Sequence, residues 1–350
     1  MSYQYVPLSG GIEYVQVEEP APDENASWAE ILTAVDGSQA DGATESWSHE
    51  LHSSTVNSVV ERDGVVYSGS GDNTVKAVDA SDKSEIWSHS LHSSNVYSVF
   101  ERDGVVYSGS FDETVKAADA SDGSEIWSHS LHSGIVHSVF ERDGVVYSAS
   151  QDDTVKAADA SDQSEIWSHS LHSDTVRSVF ERDGVVYSAS EDETVKAADA
   201  SDGSEIWSHS LHSDRVWSVF ARNGVVYSGS TDDTVIAVDA SDGSDIWSHS
   251  LHSDSVYSVF ERDDVVYSGG GLDDTTVKAV DASDGSEIWS HSLHSSRVRS
   301  VFERDGVVYS GSQDQTVKAA ELVDENGDPL EGEPDTWQFH FSDGEGWYKA

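Results

Sequence analysis

The chain has 350 residues, with 66 acidic against 19 basic side chains and a formal net charge of −47. Nucleic acid and anionic membrane are excluded as partners, since both are held by basic patches, and the absence of cysteine excludes disulfides, thiolate metal sites and cysteine nucleophiles. So large a charge repels itself at low salt, whereas near 1 M salt the screening length falls to roughly 3 Å and most of that repulsion disappears.

Residues 1–43 stand outside the periodicity that follows and read as an N-terminal extension, an anchor or a degenerate blade. Three of the five prolines lie here (Pro7, Pro20, Pro22) and the other two (Pro329, Pro334) near the far end. The stretch between them is therefore free of the residue that removes sheet-ladder donors. Two β-like runs, residues 3–8 and 12–17, flank a Ser-Gly-Gly turn. Residues 18–25 read as an acidic loop, and residues 31–38 (ILTAVDGS) echo a motif that recurs downstream. The opening MSYQYVPLSGGIEYVQVEE has no basic region followed by an apolar run. Neither a secretory signal nor a membrane span is expected, which places the protein in the cytoplasm or in a particle assembled there.

From Trp47 a unit of about forty residues repeats with little drift. Its tryptophans fall at Trp47, Trp87, Trp127, Trp167, Trp207, Trp247 and Trp289, at intervals of 40 residues and finally 42. Self-similarity at this period marks a repeat architecture. In the second unit, residues 96–101 (VYSVFE) form a β run ending at Arg102-Asp103-Gly104, a hairpin signal. Residues 105–110 (VVYSGS), 114–120 (TVKAADA) and 125–131 (EIWSHSL) supply three more strands. Four short antiparallel strands per forty residues describe a propeller blade. Val, Phe, Ile and Trp fill the space between blades, each contributing on the order of 1.5–3 kcal/mol. The expected fold is all-β, a seven-bladed β-propeller over residues 44–320, with residues 321–350 as a C-terminal extension.

The units begin with a fourth-type strand (residues 45–50) and end with a third-type strand (residues 316–320), so the first strand is expected to complete the last blade. Closure of this kind removes free sheet edges. An eight-bladed alternative makes residues 3–50 a degenerate blade and lets residues 335–341 (DTWQFHF) complete the final one.

The run LHSxxVxSVFERDGVVYSGSxDxTV resembles a WD repeat, with Leu-His in place of Gly-His and SGSxDxTV at the second turn. The third strand lacks the Trp-Asp pair. The tryptophan stands instead in the fourth strand after DASDGSEIW, which resembles the propeller repeats of quinone-dependent dehydrogenases and outer-membrane assembly factors. The resemblance implies the fold and a structural His–Ser–Asp network in each blade. It falls on His52, His92, His132, His172, His212, His252 and His294, with Asp72, Asp112, Asp152, Asp192, Asp232 and Asp314. The second histidine of each pair stands three residues from the first, as in His89 and His92, so the two point to opposite strand faces and make no metal clamp.

Function must lie where the copies differ, because a catalytic site needs one asymmetric constellation and the units repeat the same groups. Three columns vary. The residue before the first-strand Val is Thr55, Asn95, Ile135, Thr175, Arg215, Ser255 and Arg297; the residue after it is Asn57, Tyr97, His137, Arg177, Trp217, Tyr257 and Arg299. Before the second-turn Asp stand Gly71, Phe111, Gln151, Glu191, Thr231, Leu272 and Gln313. Arg177, Arg215, Arg297 and Arg299 fall in these columns, while the other arginines nearly all occupy the repeated ERDG turn. Tyr, Trp and Arg are the usual hot-spot residues. The candidate binding face is Tyr97, Phe111, His137, Arg177, Arg215, Trp217, Tyr257, Leu272, Arg297 and Arg299.

No catalytic residue, cofactor or specific metal site is expected. The carboxylates of the DASDGSE turns and of residues 324–328 would hold K, Na, Mg or Ca only loosely. Taken together, these features predict a non-enzymatic interaction or structural propeller adapted to high salt, from a haloarchaeon or its virus. One diversified face would recognise a protein or cell-surface partner, with assembly into a larger complex through the termini, as in a virion surface or tail component. Two alternatives are a cytoplasmic scaffold or signalling propeller of a halophilic archaeon and a quinone-dependent dehydrogenase-like propeller.

Overall fold

A computed structural model describes residues 42–323 in full and, of the remainder, two strands: β1 (Gln4–Leu8) and β2 (Gly11–Val15). The chain divides into two compact units. The first, Met1–Gln39 with Leu330–Ala350, contains the antiparallel pair β1–β2, in register from Gln4 opposite Val15 to Leu8 opposite Gly11. The motif echo at 31–38 and the expected strand at 335–341 lie outside the described residues.

The second unit, Ala40–Pro329, holds seven four-stranded antiparallel sheets and, among the described residues, no helix. In the first blade the strands are β4 (Val56–Arg62), β5 (Val65–Ser70), β6 (Val75–Asp79) and β7 (Glu85–His89), hydrogen-bonded in that order. The first strands of successive blades face one another around the ring axis. The Asp-Gly hairpins work as expected: Asp63 (φ 51°) and Gly64 (φ 80°) both take the left-handed backbone that a two-residue turn of this twist requires.

The ring closes through strand β3 (Gly42–His49), which pairs with Val317–Val323 from Gly42 opposite Val323 to His49 opposite Val317. The N-terminal strand thus completes the seventh blade. The eight-bladed count fails at this point, because the edge it reserved for residues 335–341 is already occupied by residues 42–49. The ring also takes in Gly42, Ala43 and Glu321–Val323, beyond the expected limits of 44 and 320.

Blades adhere by an apolar layer and by three recurrent polar links. Each apolar cluster straddles a boundary: Tyr107, Val115, Ala117 and Leu131 of one blade pack with Val136, Val139, Val146 and Ala158 of the next. Small residues permit this approach, since a Cβ on Gly109 would lie 2.7 Å from Val136 Cγ1. Ala149 and Ala189 nonetheless occupy the matching place in two other blades, so the neighbouring valine can yield slightly.

The first link is a closed ring of inner-strand hydrogen bonds. The Val99 N–H donates to Ser58 Oγ, and Val139, Val179, Val219, Val259, Val301 and Val59 repeat this toward Ser98, Ser138, Ser178, Ser218, Ser258 and Ser300, all at 3.0–3.2 Å. The second runs from the tryptophan indole to the next blade's alanine carbonyl, as from Trp87 Nε1 to Ala120 O at 2.8 Å. In the last blade Leu322 replaces that alanine, and Trp289 Nε1 is without a partner.

The third link pairs each ERDG arginine with the glutamate of the following blade. Arg62–Glu101, Arg102–Glu141, Arg142–Glu181, Arg222–Glu261, Arg262–Glu303 and Arg304–Glu61 lie at 3.3–3.6 Å. Burial pushes these carboxyls up, to about 7 for Glu303, against the opposing pull of a turn N–H and the arginine. Arg182 alone lacks such a glutamate, because Ala221 stands in its place.

Candidate binding site at the axial mouth

Each blade first fixes its own second turn. His52 Nδ1 donates to Asp72 at 3.0 Å, and for a neutral imidazole Nε2 accepts from Ser68 Oγ at 2.9 Å. Asp72 also accepts from the Ser53 N–H and from the N–H and hydroxyl of Thr74. The same set recurs as His92–Asp112–Ser108, His132–Asp152–Ser148, His172–Asp192–Ser188, His212–Asp232–Ser228 and His294–Asp314–Ser310.

In the sixth blade the two-residue insertion GGGLDDTTV offers two aspartates, and Asp274 is the one that meets His252, at 3.2 Å. Sequence reasoning left this blade's acid unassigned. The signal was present, since Asp274, not Asp273, keeps the Asp-x-Thr spacing to Thr276. Burial holds His52 and His92 below the usual imidazole value, against the pull of Asp72 and Asp112. For Asp112 burial raises the carboxyl, but the hydrogen bonds from Thr114, Ser93 and His92 prevail and bring it down to about 2. Both shifts favour a neutral histidine against an ionised aspartate.

This scaffold places the three variable columns side by side. The backbone N–H of Phe111 donates to Asn95 O, that of Gln151 to Ile135 O, and that of Thr231 to Arg215 O. The column after the Val turns inward, and all seven of its members, Asn57, Tyr97, His137, Arg177, Trp217, Tyr257 and Arg299, line one cavity of about 350 Å³. Thr55, Asn95, Ser54 and Gly71 complete its wall. Phe111 and Leu272 lie outside the lining and are half exposed, at 49% and 51%. Arg215 and Arg297 likewise do not line it, though Arg297 lies over the lining residue Tyr257.

The lining is a mosaic of stacked pairs. Tyr97 meets His137 edge-on at 5.1 Å, and Trp217 meets Tyr257 at 5.0 Å. The Arg177 guanidinium lies 4.4 Å from the Trp217 ring centre, and that of Arg299 lies 4.5 Å from Tyr257, within cation–π range. Arg297 approaches the same tyrosine at 5.8 Å. Trp217 Nε1 donates to Thr231 Oγ1 at 2.7 Å, which fixes the indole. Three residues further along the inner strands, Phe100, Phe140, Phe180, Phe220, Phe260 and Phe302 stack in sequence at 4.5–4.8 Å, interrupted only by Val60.

The charges are unevenly met. Glu191, which sequence reasoning placed in a variable column but not in the site, accepts from Arg177 Nε at 2.7 Å and pairs with Arg215 Nε at 3.2 Å. Arg177 also lies within 3.2 Å of both ring nitrogens of His137. Burial, reinforced by that guanidinium, drives His137 down to about 3, so it is neutral across the ordinary pH range. Arg297 and Arg299 have no carboxylate within ion-pair reach among the described residues, and the Nε of each is buried without a partner. Burial also lowers Arg299, helped by the charges of Arg297 and Arg177. An arginine in this setting remains charged and presents its donors to whatever enters. Among the described residues, no group of three or more His, Asp or Glu side chains is arranged to hold a metal.

With this geometry in place, the chain can be set beside known proteins. The profile of the family described as "Outer membrane protein assembly factor BamB" matches three overlapping stretches, residues 29–131, 111–255 and 191–329. No curated protein matches. Among solved structures, the computationally designed Ika8 protein is similar at TM-score 0.65 and 24% identity, over 80% of this chain and 100% of its own. The WD40 β-propeller domain of Doa1 is similar at TM-score 0.72 and 24% identity, over 82% of this chain and 99% of its own. These likenesses concern the fold.

Proposed function

The chain belongs to the repeat family described as outer membrane protein assembly factor BamB, and from that premise we propose that it is a non-enzymatic interaction propeller whose axial mouth grips a partner protein. The observation that carries this reading is the column of seven residues of five types lining one cavity in a ring whose units are otherwise nearly identical. Rigid aromatics with fixed partners suit a docking surface, because little side-chain entropy remains to be lost. The free donors of Arg297 and Arg299 suit an acidic side chain on the partner. The charge of −47 supports a salt-rich setting. In the reading favoured here the ring is a surface or tail component of a haloarchaeal virion that touches its host.

The test is capture of the partner in multimolar salt by the intact chain and by Arg299→Ala and Trp217→Ala variants. Capture by the intact chain, lost in both variants and retained in a Glu125→Ala control on an outer strand, is the expected result. Equal capture by all four proteins would remove the axial mouth from the function. Recovery of the protein in host cytoplasm, and never in purified virions, would dispose of the virion role while leaving the binding reading intact.

A further inference from the structure

The ring of cross-blade ion pairs is broken once, between the fourth and fifth blades, and the break is chemically one-sided. In the other six boundaries a buried glutamate performs two tasks. Its Oε2 faces the arginine of the preceding blade, and its Oε1 accepts the N–H of the residue three positions on: Gly64, Gly104, Gly144, Gly184, Asp264 or Gly306, at 2.6–3.0 Å. In the fifth blade both donors persist as Arg182 and Gly224, but Ala221 takes the acid's position and lacks the whole carboxymethyl group. Ala221 is 2% exposed, while Gly224 at the turn is exposed.

A second substitution acts in the same direction. At other boundaries the turn aspartate also reaches the preceding arginine, as Asp63 does toward Arg304, Asp263 toward Arg222 and Asp305 toward Arg262. Here that aspartate is Asn223. Two carboxylates that would face Arg182 are therefore both replaced by neutral residues, in a chain that otherwise carries 66 acids. Arg182 Nε is buried without a hydrogen-bond acceptor, and its remaining charged contact is the exposed Asp183 of its own turn, at 3.4 Å.

We propose that the space beside Ala221, between Arg182 Nε–H and the Gly224 N–H, binds a small monovalent anion, chloride or a carboxylate of formate size, in the role that glutamate serves in the other blades. A guanidinium Nε–H and a turn N–H, which in the other blades meet on one glutamate, are the donor set that an anion requires. The bound ion would make this boundary's cohesion depend on solution composition, which the six covalent carboxylates do not.

Melting temperatures in sodium chloride, sodium formate and sodium isethionate at equal ionic strength test the proposal, because isethionate is too large for the site. The wild-type chain should melt roughly 2 °C or more higher in chloride, in formate, or in both, than in isethionate, with an increment that saturates as binding does. Stabilisation by chloride alone identifies the occupant as a halide, and stabilisation by formate identifies a carboxylate. Ala221→Glu supplies the acid covalently and should abolish the increment. Arg182→Gln removes a donor and should abolish it too, which guards against misfolding of either variant. Bromide-soaked crystals should show anomalous density beside Arg182 in wild type and none in Ala221→Glu. An increment equal in all three proteins, or no density in wild type, would overturn the proposal.

Discussion

The outer turn networks and the axial tier are built from the same seven copies, yet they obey opposite rules. The His–Asp–Ser–Thr set is chemically identical in every blade, and its hydrogen bonds vary by only a few tenths of an ångström. It is preserved even through the sixth-blade insertion, where the chain selects Asp274 to keep it. The tier a few residues away contains seven side chains of five types around one cavity. Positions that hold a blade together have one good solution, since a buried polar group must be met by a partner. Positions facing the mouth share no such uniform network: Arg177 meets Glu191 and Trp217 meets Thr231 within their own blades. They also bond across blades, as Arg177 does toward His137 and Trp217.

The sharpest way to break this contrast is to delete one acid from the networks. Asp152→Ala strands His132 Nδ1, the Ser133 N–H and Thr154 together. Chemical denaturation should show a loss of about 4 kcal/mol. Asp72→Ala and Asp232→Ala should match it within about 1 kcal/mol. Blade-to-blade differences of several kcal/mol would end the claim of equivalence.

Acidification tests the networks from the proton side. His52 and His92 have folded values below the unfolded 6.5, so their contribution is complete above that pH and is lost as pH falls through and below it. Asp112, lowered from 3.8 to about 2, adds a further loss below pH 4. Glu303 acts in the opposite sense. Its value is raised from 4.5 to about 7, so its contribution is present below 4.5 and is lost as pH rises through 7. Wild-type melting between pH 7.5 and 5 therefore combines a loss with a gain. Glu303→Gln removes that residue's share of the gain, and its melting temperature should fall more steeply over that interval than the wild type's. A melting temperature in that variant that falls no more steeply than the wild type's would remove Glu303 from this balance.

The axial tier should respond far less. Arg177→Ala gives up a partly exposed pair with Glu191 and should change stability by no more than about 1 kcal/mol. A loss as large as that of Asp152→Ala would make the tier a structural element. The smallest expected change is a gain. Asp264 adopts φ 61° where the six other blades place glycine, and Asp264→Gly should stabilise the ring by about 0.5 kcal/mol while leaving its neighbours unaltered.

The sequence made the architecture legible because one period carried every local signal: the Asp-Gly turn, the alternating strands and the tryptophan that sets the phase. It also disclosed closure, since a fourth-type strand came first and a third-type strand came last. The variable columns pointed to the mouth by simple comparison of copies. What stayed hidden were the contacts between blades. Glu191 looked like one more variable residue until Arg177 and Arg215 were seen to share it. Arg182 and Ala221 are 39 positions apart, and no periodicity within a blade reveals which rows of adjacent sheets meet. Phe111 and Leu272 looked like hot-spot material, but they stand half exposed outside the cavity, although Gly71 of the same column lines it.

The composite seventh blade bears on how such a chain changes over generations. Unequal recombination between near-identical forty-residue segments can add or remove a whole unit with little change at the junctions, since six of the seven boundaries repeat the same arginine–glutamate contact. Copy number is then policed by one event only, the meeting of residues 42–49 with the open edge of Val317–Val323. A gene with one unit too many would encode blades that are each sound and a ring that must either widen or fail to shut. The first strand of the ring is thus where selection counts the repeats.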